Sequence, residues 1–580
     1  MEHRINVHIT ADALISSLGF TPQENLEAIR RYQSEVTLQE GGHYSDTPML
    51  AATISSERLE KLAMQKGLET YTRLEQLFIL TIQDICTQAG ISPTDENCGL
   101  ILSTTKGNVD LLASGSSETS LSDEKAFLWK MAERIGCYFQ SSHPVEVVSN
   151  ACISGISAII VGKRWIESGR YTKVIVAGGD ILSHFITSGF LSFKSVSNEI
   201  CRPYDEQRDG LNLGEACGAI LLSTDGNKQD IILTGGAISN DANHISGPSR
   251  TGDGLYLAIH QAMEEAEVQP KEISFINAHG TATVYNDEME SKAIHLARLD
   301  SIPVNSLKPY FGHTLGASGV IETIISMHEM KEGELFGTLG YEHCGVPMPL
   351  KVNATHQKLP MKHCVKTASG FGGCNAAIVL SLPHVLSPTV RSIRNVSEKT
   401  VTHTISITPG KILRNGKEIF HSKERSFPLF IREAYKTLEE SNMKFFKMDD
   451  LCKLGYVATE FLLKDKTFQP EEIGIILSNA AASLDTDIRH QAILNKDGDA
   501  AASPAVFVYT LPNVVAGEIC IRHRIKGENT FFIHEEYQPE LLEQYARIAM
   551  EKGNLKACIT GWCDLLLPTY QAEFKLIEIQ

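Results

Sequence analysis

The chain has 580 residues, 42% of them hydrophobic and 21% charged, with a formal net charge of −17. That length is more than a single hydrophobic core ordinarily serves, so two or more packed units are expected. The acidic balance argues against nucleic acid and anionic membrane surfaces as partners, and no run of eighteen apolar residues marks a membrane span.

The N-terminus, MEHRINVHIT, is charged and then strand-like, without the apolar centre of a signal peptide, so cytoplasm is the expected location. Residues 56–90 carry apolar positions at helical spacing behind a Ser cap. NCGLILST (97–104), PVEVVS (144–149), KVIVAGGD (173–180), GAILLS (218–223) and EISFINAHG (272–280) are short, apolar and bounded by small or polar residues. Such strands are expected in sheets covered on both faces, so the fold class is α/β in layers. The pattern lapses over 386–402 (LSPTVRSIRNVSEKTVT), the expected linker, and then resumes. Asn-Gly within KILRNGKEI (411–419) predicts a tight hairpin. ENCGLILSTTKGN (96–108) shares its layout with EEIGIILSNAAAS (471–483), and GRYTKVIVAGGDIL (169–182) shares its layout with GNLKACITGWCDLL (553–566). Two such matches, Gly99 with Gly474 and Asp180 with Asp564, point to a partial duplication.

Four stretches carry candidate chemistry. VVSNACISGIS (147–157) sets Cys152 at a strand-to-helix turn among small residues. Unsatisfied N–H groups at a helix start favour a thiolate, although a cysteine in a turn is also a common buried structural thiol. INAHGTATVYNDEMES (276–291) places His279 after a strand, and VNSLKPYFGHTLGASGVIET (304–323) holds Lys308 and a Gly312-His313 pair. ASGFGGCNAAIVLSL (368–382) is a glycine-rich turn between strands. The 13 cysteines form no C-x-x-C pair, which argues against a disulfide framework and a structural metal, and no cofactor is expected.

Taken in order, ITADALISSLGFTPQENLEAI (9–29), NACISG, RPYDEQRDGLNLGEACGAILL (202–222), HGTATVYNDEMES, KPYFGHTLGASG and GFGGCNAA resemble the β-ketoacyl–acyl carrier protein synthases, condensing enzymes of the thiolase superfamily. The resemblance covers roughly residues 1–385, and departs slightly where Ala11 or Ala13 stands in place of the usual glycine. It implies a thiolase-like αβαβα fold for 1–385 and decarboxylative Claisen condensation of an acyl thioester with malonyl-acyl carrier protein, in fatty acid or polyene/polyketide-type biosynthesis. Cys152 is the implied acyl acceptor, His279 and His313 the paired histidines, and Lys308 and Glu322 the supporting charges. Phe371 is the implied gate, its N–H joining that of Cys152 in an oxyanion hole; Thr281, Thr283 and Gly372 are the implied substrate-binding residues. Cys374 follows the glycines rather than preceding them, unlike the second catalytic cysteine of thiolases, and reads as a buried small residue. RPYDEQRDG, with Asp205 and Asp209, reads as a loop brace.

Residues 403–580 resemble the first portion of a second ketosynthase-like chain, truncated and catalytically inactive. The offset of 384 takes Cys152 to Glu536, within FFIHEEYQPE, where no cysteine lies. His534, Glu535 and Glu536 are expected to be loop residues. The implied partners are an acyl carrier protein with phosphopantetheine-linked substrates and, in a homodimer or heterodimer, a ketosynthase-like chain. Alternative readings are a non-elongating partner like a chain-length factor and a malonyl-thioester decarboxylase. An acidic carrier requires a local basic patch, for which Lys61, Lys66, Lys194, Arg202 and Arg208 are the candidates.

Overall fold

The computed structural model describes residues 2–3, 5–114, 124–385, 390–391, 398–438, 442–553 and 555–579. The first sheet is built from β1 (His8–Ser16), β2 (Cys98–Ser103), β3 (Glu146–Val148), β4 (Lys173–Asp180) and β5 (Ala216–Ser223). They lie in the order β3-β2-β4-β5-β1, with β3, β2 and β4 parallel and the other neighbours antiparallel. Every residue of β2, β3 and β5 is buried, as their unbroken apolar runs require.

A second sheet repeats this plan. It comprises β6 (Ile231–Asn240), β7 (Ile273–Asn277), β8 (Pro303–Asn305), β9 (His363–Gly370) and β10 (Cys374–Ser381), ordered β8-β7-β9-β10-β6. Helix α1 (Arg73–Ala89) covers the outer face of the first sheet and α3 (Asp253–Ala266) that of the second. Between the sheets run α2 (Ser154–Glu167) and α5 (Ser318–Glu332), while α4 (Val284–Leu296) packs beside α3. The helix α2 is apolar nearly all round, as expected where both faces are covered. Gly155 and Gly319 let α2 and α5 touch: a Cβ at Gly155 would stand 2.8 Å from Val320 N, and one at Gly319 would stand 2.4 Å from Ile156 N. The layers are therefore α, β, α, β, α.

The remaining chain forms the plan a third time. β11 (Lys399–Thr408), β14 (Ile473–Asn479), β15 (Asn529–Ile533), β16 (Ala557–Leu566) and β17 (Thr569–Ile579) lie in the order β15-β14-β16-β17-β11. The expected hairpin is present as β12 (Lys411–Arg414) and β13 (Lys417–His421), added to the edge of β11. Asn415 and Gly416 both take positive φ, 51° and 76°, as its two-residue turn demands. Helix α8 (Pro539–Lys552) follows β15 as α2 follows β3, and both have 14 residues.

The first and third sheets are joined. β3 pairs antiparallel with β15, Val148 opposite Phe532 and Val147 opposite Ile533, and Ser149 N donates to Phe531 O at 3.0 Å. Val148 thus faces its own counterpart at the offset of 384. The edge of the first sheet at β3 is thus covered by this chain's own third sheet.

Two expectations are corrected. Residues 56–90 form two helices, Ser56–Lys66 and Arg73–Ala89, because Gly67 at φ 67° closes the first. The linker does not extend to 402, since β11 begins at Lys399 and pairs antiparallel with β17 from Lys399 to Ile407, with one bulge between Val401 and His403; residues 386–389 and 392–397 of that segment lie outside the described residues. Among the described residues no single helix is long and apolar enough to cross a membrane.

Candidate active site

Strand β3 ends in a sharp turn that presents Cys152 two residues before α2. Ala151 takes φ 49°, a conformation that costs a non-glycine residue about 1–2 kcal/mol, and the turn is braced against it. Ser154 Oγ accepts from Asn150 N at 2.7 Å and donates to Ala151 O at 2.6 Å. Asn150 Nδ2 donates to Asn529 O at 2.8 Å, so the third copy also holds the turn.

His313 Nε2 lies 3.1 Å from Cys152 Sγ, and His313 Nδ1 lies 3.1 Å from Ser318 Oγ, at the start of α5. The His279 ring stands 5.2 Å from that of His313 at 85°. His279 is fixed through its backbone: its N–H donates to Glu290 Oε1 at 2.8 Å and to Thr367 Oγ1 at 3.2 Å. Its Nδ1 is buried without a hydrogen-bond partner among the described residues. Behind the histidines, Lys308 Nζ lies 2.8 Å from Glu322 Oε1, and a second lysine, Lys366, lies 2.6 Å from Glu322 Oε2.

Burial holds both imidazoles well below the usual histidine range, and the Lys308 and Lys366 ammonium groups push them the same way. Both rings are therefore neutral, each able to offer one N–H. Burial also pushes the Cys152 thiol up to about 12, against the pull of Lys308. The helix start was expected to favour a thiolate; in the resting site desolvation outweighs it, and the pair is a neutral thiol beside a neutral imidazole.

The glycine-rich turn closes the other side. A Cβ at Gly370 would stand 3.0 Å from Cys152 N, so the backbone of this turn meets the N–H of Cys152. Phe371 is half-buried, its ring 5.3 Å from Phe193 and 6.2 Å from Phe190. Gly372 N donates to Ile245 O at 2.6 Å. Thr281 and Thr283 share a hydroxyl contact of 2.8 Å, Thr281 buried and Thr283 half-buried beside the exposed Tyr285. Cys374 is buried, with Sγ 3.2 Å from Phe371 O, and burial pushes it well above the usual thiol value.

The third copy contributes directly. Asn513 Nδ2 donates to Phe371 O at 2.9 Å, and a Cβ at Gly517 would stand 2.7 Å from Gly372 O. Phe507 packs on Gly189, where a Cβ would fall 2.2 Å from its ring, and its ring lies 5.6 Å from Phe190. Buried polar contacts line the seam: ion pairs of Lys106 with Asp487 at 2.7 Å and Arg164 with Glu528 at 2.5 Å, and a hydrogen-bond contact of His534 Nε2 with Glu146 Oε2 at 2.7 Å. His534 is thus spent on the seam, while Glu535 and Glu536 are exposed.

Residues that the sequence reading did not single out are Lys366, Asn513 and the role of Asp180. Asp180, buried and pushed up to about 6, accepts from Thr104 Oγ1 at 2.6 Å and from Gly316 N at 2.7 Å, tying β4 to the loop after His313. A lone Lys inside the apolar strand HCVKTASG was the available signal for Lys366. Among the basic-patch candidates, Lys61, Lys66 and Lys194 are exposed, and Arg202 pairs with Glu199 at 3.1 Å. Arg208 drops out: its side chain is 5% exposed and donates to Asp205 O and Gly345 O. Asp205 accepts from the N–H groups of Glu342 and His343, each at 2.8 Å, so the RPYDEQRDG loop is braced as expected. Among the described residues one cluster, Asp46, His184 and Asp499, brings possible metal-ligand atoms together, and its His184 Nε2 and Asp499 Oδ1 lie 2.8 Å apart across the seam.

Two sheets of this order stacked about paired central helices, with a thiol at the end of β3, define the thiolase-like fold. Models of the β-ketoacyl synthase N-terminal and C-terminal domains match residues 6–227 and 231–342, and the chain belongs to the β-ketoacyl synthase family. A 3-oxoacyl-[acyl-carrier-protein] synthase homolog of Saccharomyces cerevisiae is 30% identical over 253 residues, 40% of this chain and 57% of that protein. 3-Oxoacyl-[acyl-carrier-protein] synthase 2 of Staphylococcus aureus is 31% identical over 255 residues, 41% of this chain and 62% of that protein. The chain thus spans less than two thirds of the length of these relatives. The solved ketosynthase (ApeO) in complex with its chain length factor (ApeC) from Xenorhabdus doucetiae has a TM-score of 0.58 at 25% identity, covering 65% of this chain and 98% of that one. The solved PfaC keto synthase–chain length factor has a TM-score of 0.75 at 15% identity, covering 99% of this chain and 78% of that one, so the shared fold extends through the third copy.

Proposed function

We propose that this chain is a β-ketoacyl-acyl carrier protein synthase that accepts an acyl group on Cys152 and extends it by decarboxylative condensation with malonyl-acyl carrier protein. The observation that carries this reading is the neutral His313 Nε2 at 3.1 Å from Cys152 Sγ, with neutral His279 orthogonal to it. Attack of Cys152 on a carrier thioester forms the acyl-enzyme and releases the carrier thiol. Malonyl thioester then enters past Thr281 and Thr283. Loss of carbon dioxide leaves an enolate, whose oxygen accepts a hydrogen bond from one N–H of each imidazole; a neutral ring keeps one N–H for this donation. The enolate carbon attacks the acyl thioester, the N–H groups of Cys152 and Phe371 receive the tetrahedral oxyanion, and its collapse breaks the C–S bond, giving the β-ketoacyl thioester and a Cys152 thiolate that takes up a proton.

The third copy, within the 403–580 region, acts in this reading as a catalytically inactive built-in partner. Its turn carries Glu536 where Cys152 would fall, and it lends Asn513, Gly517 and Phe507 to the gate. The reading is tested by following carbon dioxide release and product formation separately. Cys152→Gln should keep decarboxylation and lose condensation. His279→Ala and His313→Ala should each allow acylation of Cys152 yet lose about 100-fold or more in carbon dioxide release, as for removal of one oxyanion donor. Undiminished release in either histidine variant would overturn its role.

A further inference from the structure

The buried charge behind the histidines is a triad, not a pair. Glu322 of α5 sits between two ammonium groups, Lys308 at 2.8 Å on one oxygen and Lys366 of β9 at 2.6 Å on the other. Lys308 and Lys366 are 0% exposed and Glu322 is 1%. The other partner of Lys366 Nζ is Thr367 O at 2.7 Å. A lone Lys308–Glu322 pair is a compact dipole whose field falls off quickly. A second ammonium on the same carboxylate turns it into a net positive group, and a low-dielectric surrounding lets that charge reach its neighbours. Burial pushes the Lys366 ammonium down, with Lys308 adding to that push and Glu322 and Glu290 opposing it, so a cation here is expensive to keep and its retention calls for a use.

The other charged or titratable groups around the imidazoles are accounted for. Glu290 of α4 is held by donors: the N–H groups of His279 and Gly280, Thr367 Oγ1 and Tyr204 Oη. Asp180 of β4 is held by Thr104, Thr105 and Gly316. Cys152 is a neutral thiol. Lys308 and Lys366 are the charged groups that act on both imidazoles, and both oppose their protonation.

Building on the condensation reading above, we propose that Lys366 is a positioning residue: by sharing Glu322 with Lys308, it leaves a net positive field that keeps His279 and His313 as neutral donors and favours the negative charge of the enolate. Neither effect requires Lys366 to touch substrate.

The test compares wild type with Lys366→Met, which keeps the side-chain volume, and Lys366→Ala, which leaves room for an added amine. Histidine titration by NMR in the resting protein should show His279 and His313 moving to higher pH in Lys366→Met, a result that does not depend on any activity. Carbon dioxide release from a malonyl thioester should fall about 100-fold, with its acidic limb moved to higher pH, while acylation of Cys152 changes much less. Ammonium or methylamine should restore release in Lys366→Ala by about 10-fold or more, because a free cation can take the vacated place. If Lys366→Ala fails to fold, the Lys366→Met titration still decides. Unmoved histidine titration, or equal losses in acylation and release with no amine rescue, would overturn the proposal. A wild type that releases no carbon dioxide would overturn the condensation reading, and the titration would then stand alone as the measure of what Lys366 does to the histidines.

Discussion

Helices α2 and α8 are the same element in two settings. Both have 14 residues, both follow the strand at the seam, and both pack on a sheet of the same order. In α2, SGISAIIVGKRWIE, the first thirteen residues are buried, and Gly155 lies against the backbone of α5. In α8, PELLEQYARIAMEK, only Leu542, Tyr545, Ala546, Ala549 and Met550 are buried. Counted from the start of each helix, the position matching Gly155 is Glu540, exposed to solvent. The polar positions of α8 include the half-buried Glu543, which pairs with Lys575 of β17 at 2.6 Å, and the exposed Glu551, which pairs with Lys399 of β11 at 2.5 Å. A half-fold that awaited a covering second half would keep such positions apolar. One plan thus serves as catalytic core where a second helix crosses it, and as a solvated prop where none does.

The comparison can be broken at its glycine. Gly155→Ala should destabilise the chain by about 3 kcal/mol or more, since the added carbon meets the backbone of Val320 and Gly319, whereas Glu540→Gly should cost about 0.5–1 kcal/mol from helix propensity alone. Urea unfolding of the two variants measures the difference. The ion pairs sharpen it next. Arg164→Met strands Glu528 in the buried seam and should cost about 3–5 kcal/mol, while Lys575→Met, which removes the half-buried β17 partner of Glu543, should cost at most about 1 kcal/mol.

The seam should also respond to acid. Burial pushes Glu265 up, but Lys163 and Lys552 outweigh it and hold the carboxyl at about 2, below its ordinary 4.5. A depressed folded value means that the stability it contributes is present above pH 4.5 and is lost as pH falls toward about 2. Lys163→Met should flatten that part of the stability profile, read from urea midpoints across the range. The smallest expected effect is at the gate. Asn513→Ala removes one hydrogen bond to Phe371 O, about 1 kcal/mol, and should slow acylation of Cys152 with little change in unfolding.

Much of this was legible in the sequence because it depends on short contiguous patterns. Cys152, His279 and His313 each sit in a strand-end motif, and the structure brings them together. The repeats at Gly99 and Gly474 and at Asp180 and Asp564 marked the duplicated sheets. What was not legible depends on depth and on distant contacts. No local pattern says that Lys366 shares the carboxylate of Glu322, or that Asn513 reaches Phe371 from 142 residues away. Arg208 looked like a surface charge because charge is visible in a sequence and burial is not. The Cys152 thiol was misjudged for the same reason: the helix start can be read from the sequence, but the desolvation that outweighs it cannot.

The central claim is that, of the repeated units, the first supplies the nucleophile and the third only supports it. Intact-protein mass spectrometry with peptide mapping, after incubation with an acyl-carrier-protein thioester, tests it most directly. The account predicts one acyl group per chain, carried on Cys152 and absent from Cys152→Ala. An acyl group mapped to Cys374 or to the third copy, or undiminished acylation of Cys152→Ala, would contradict it.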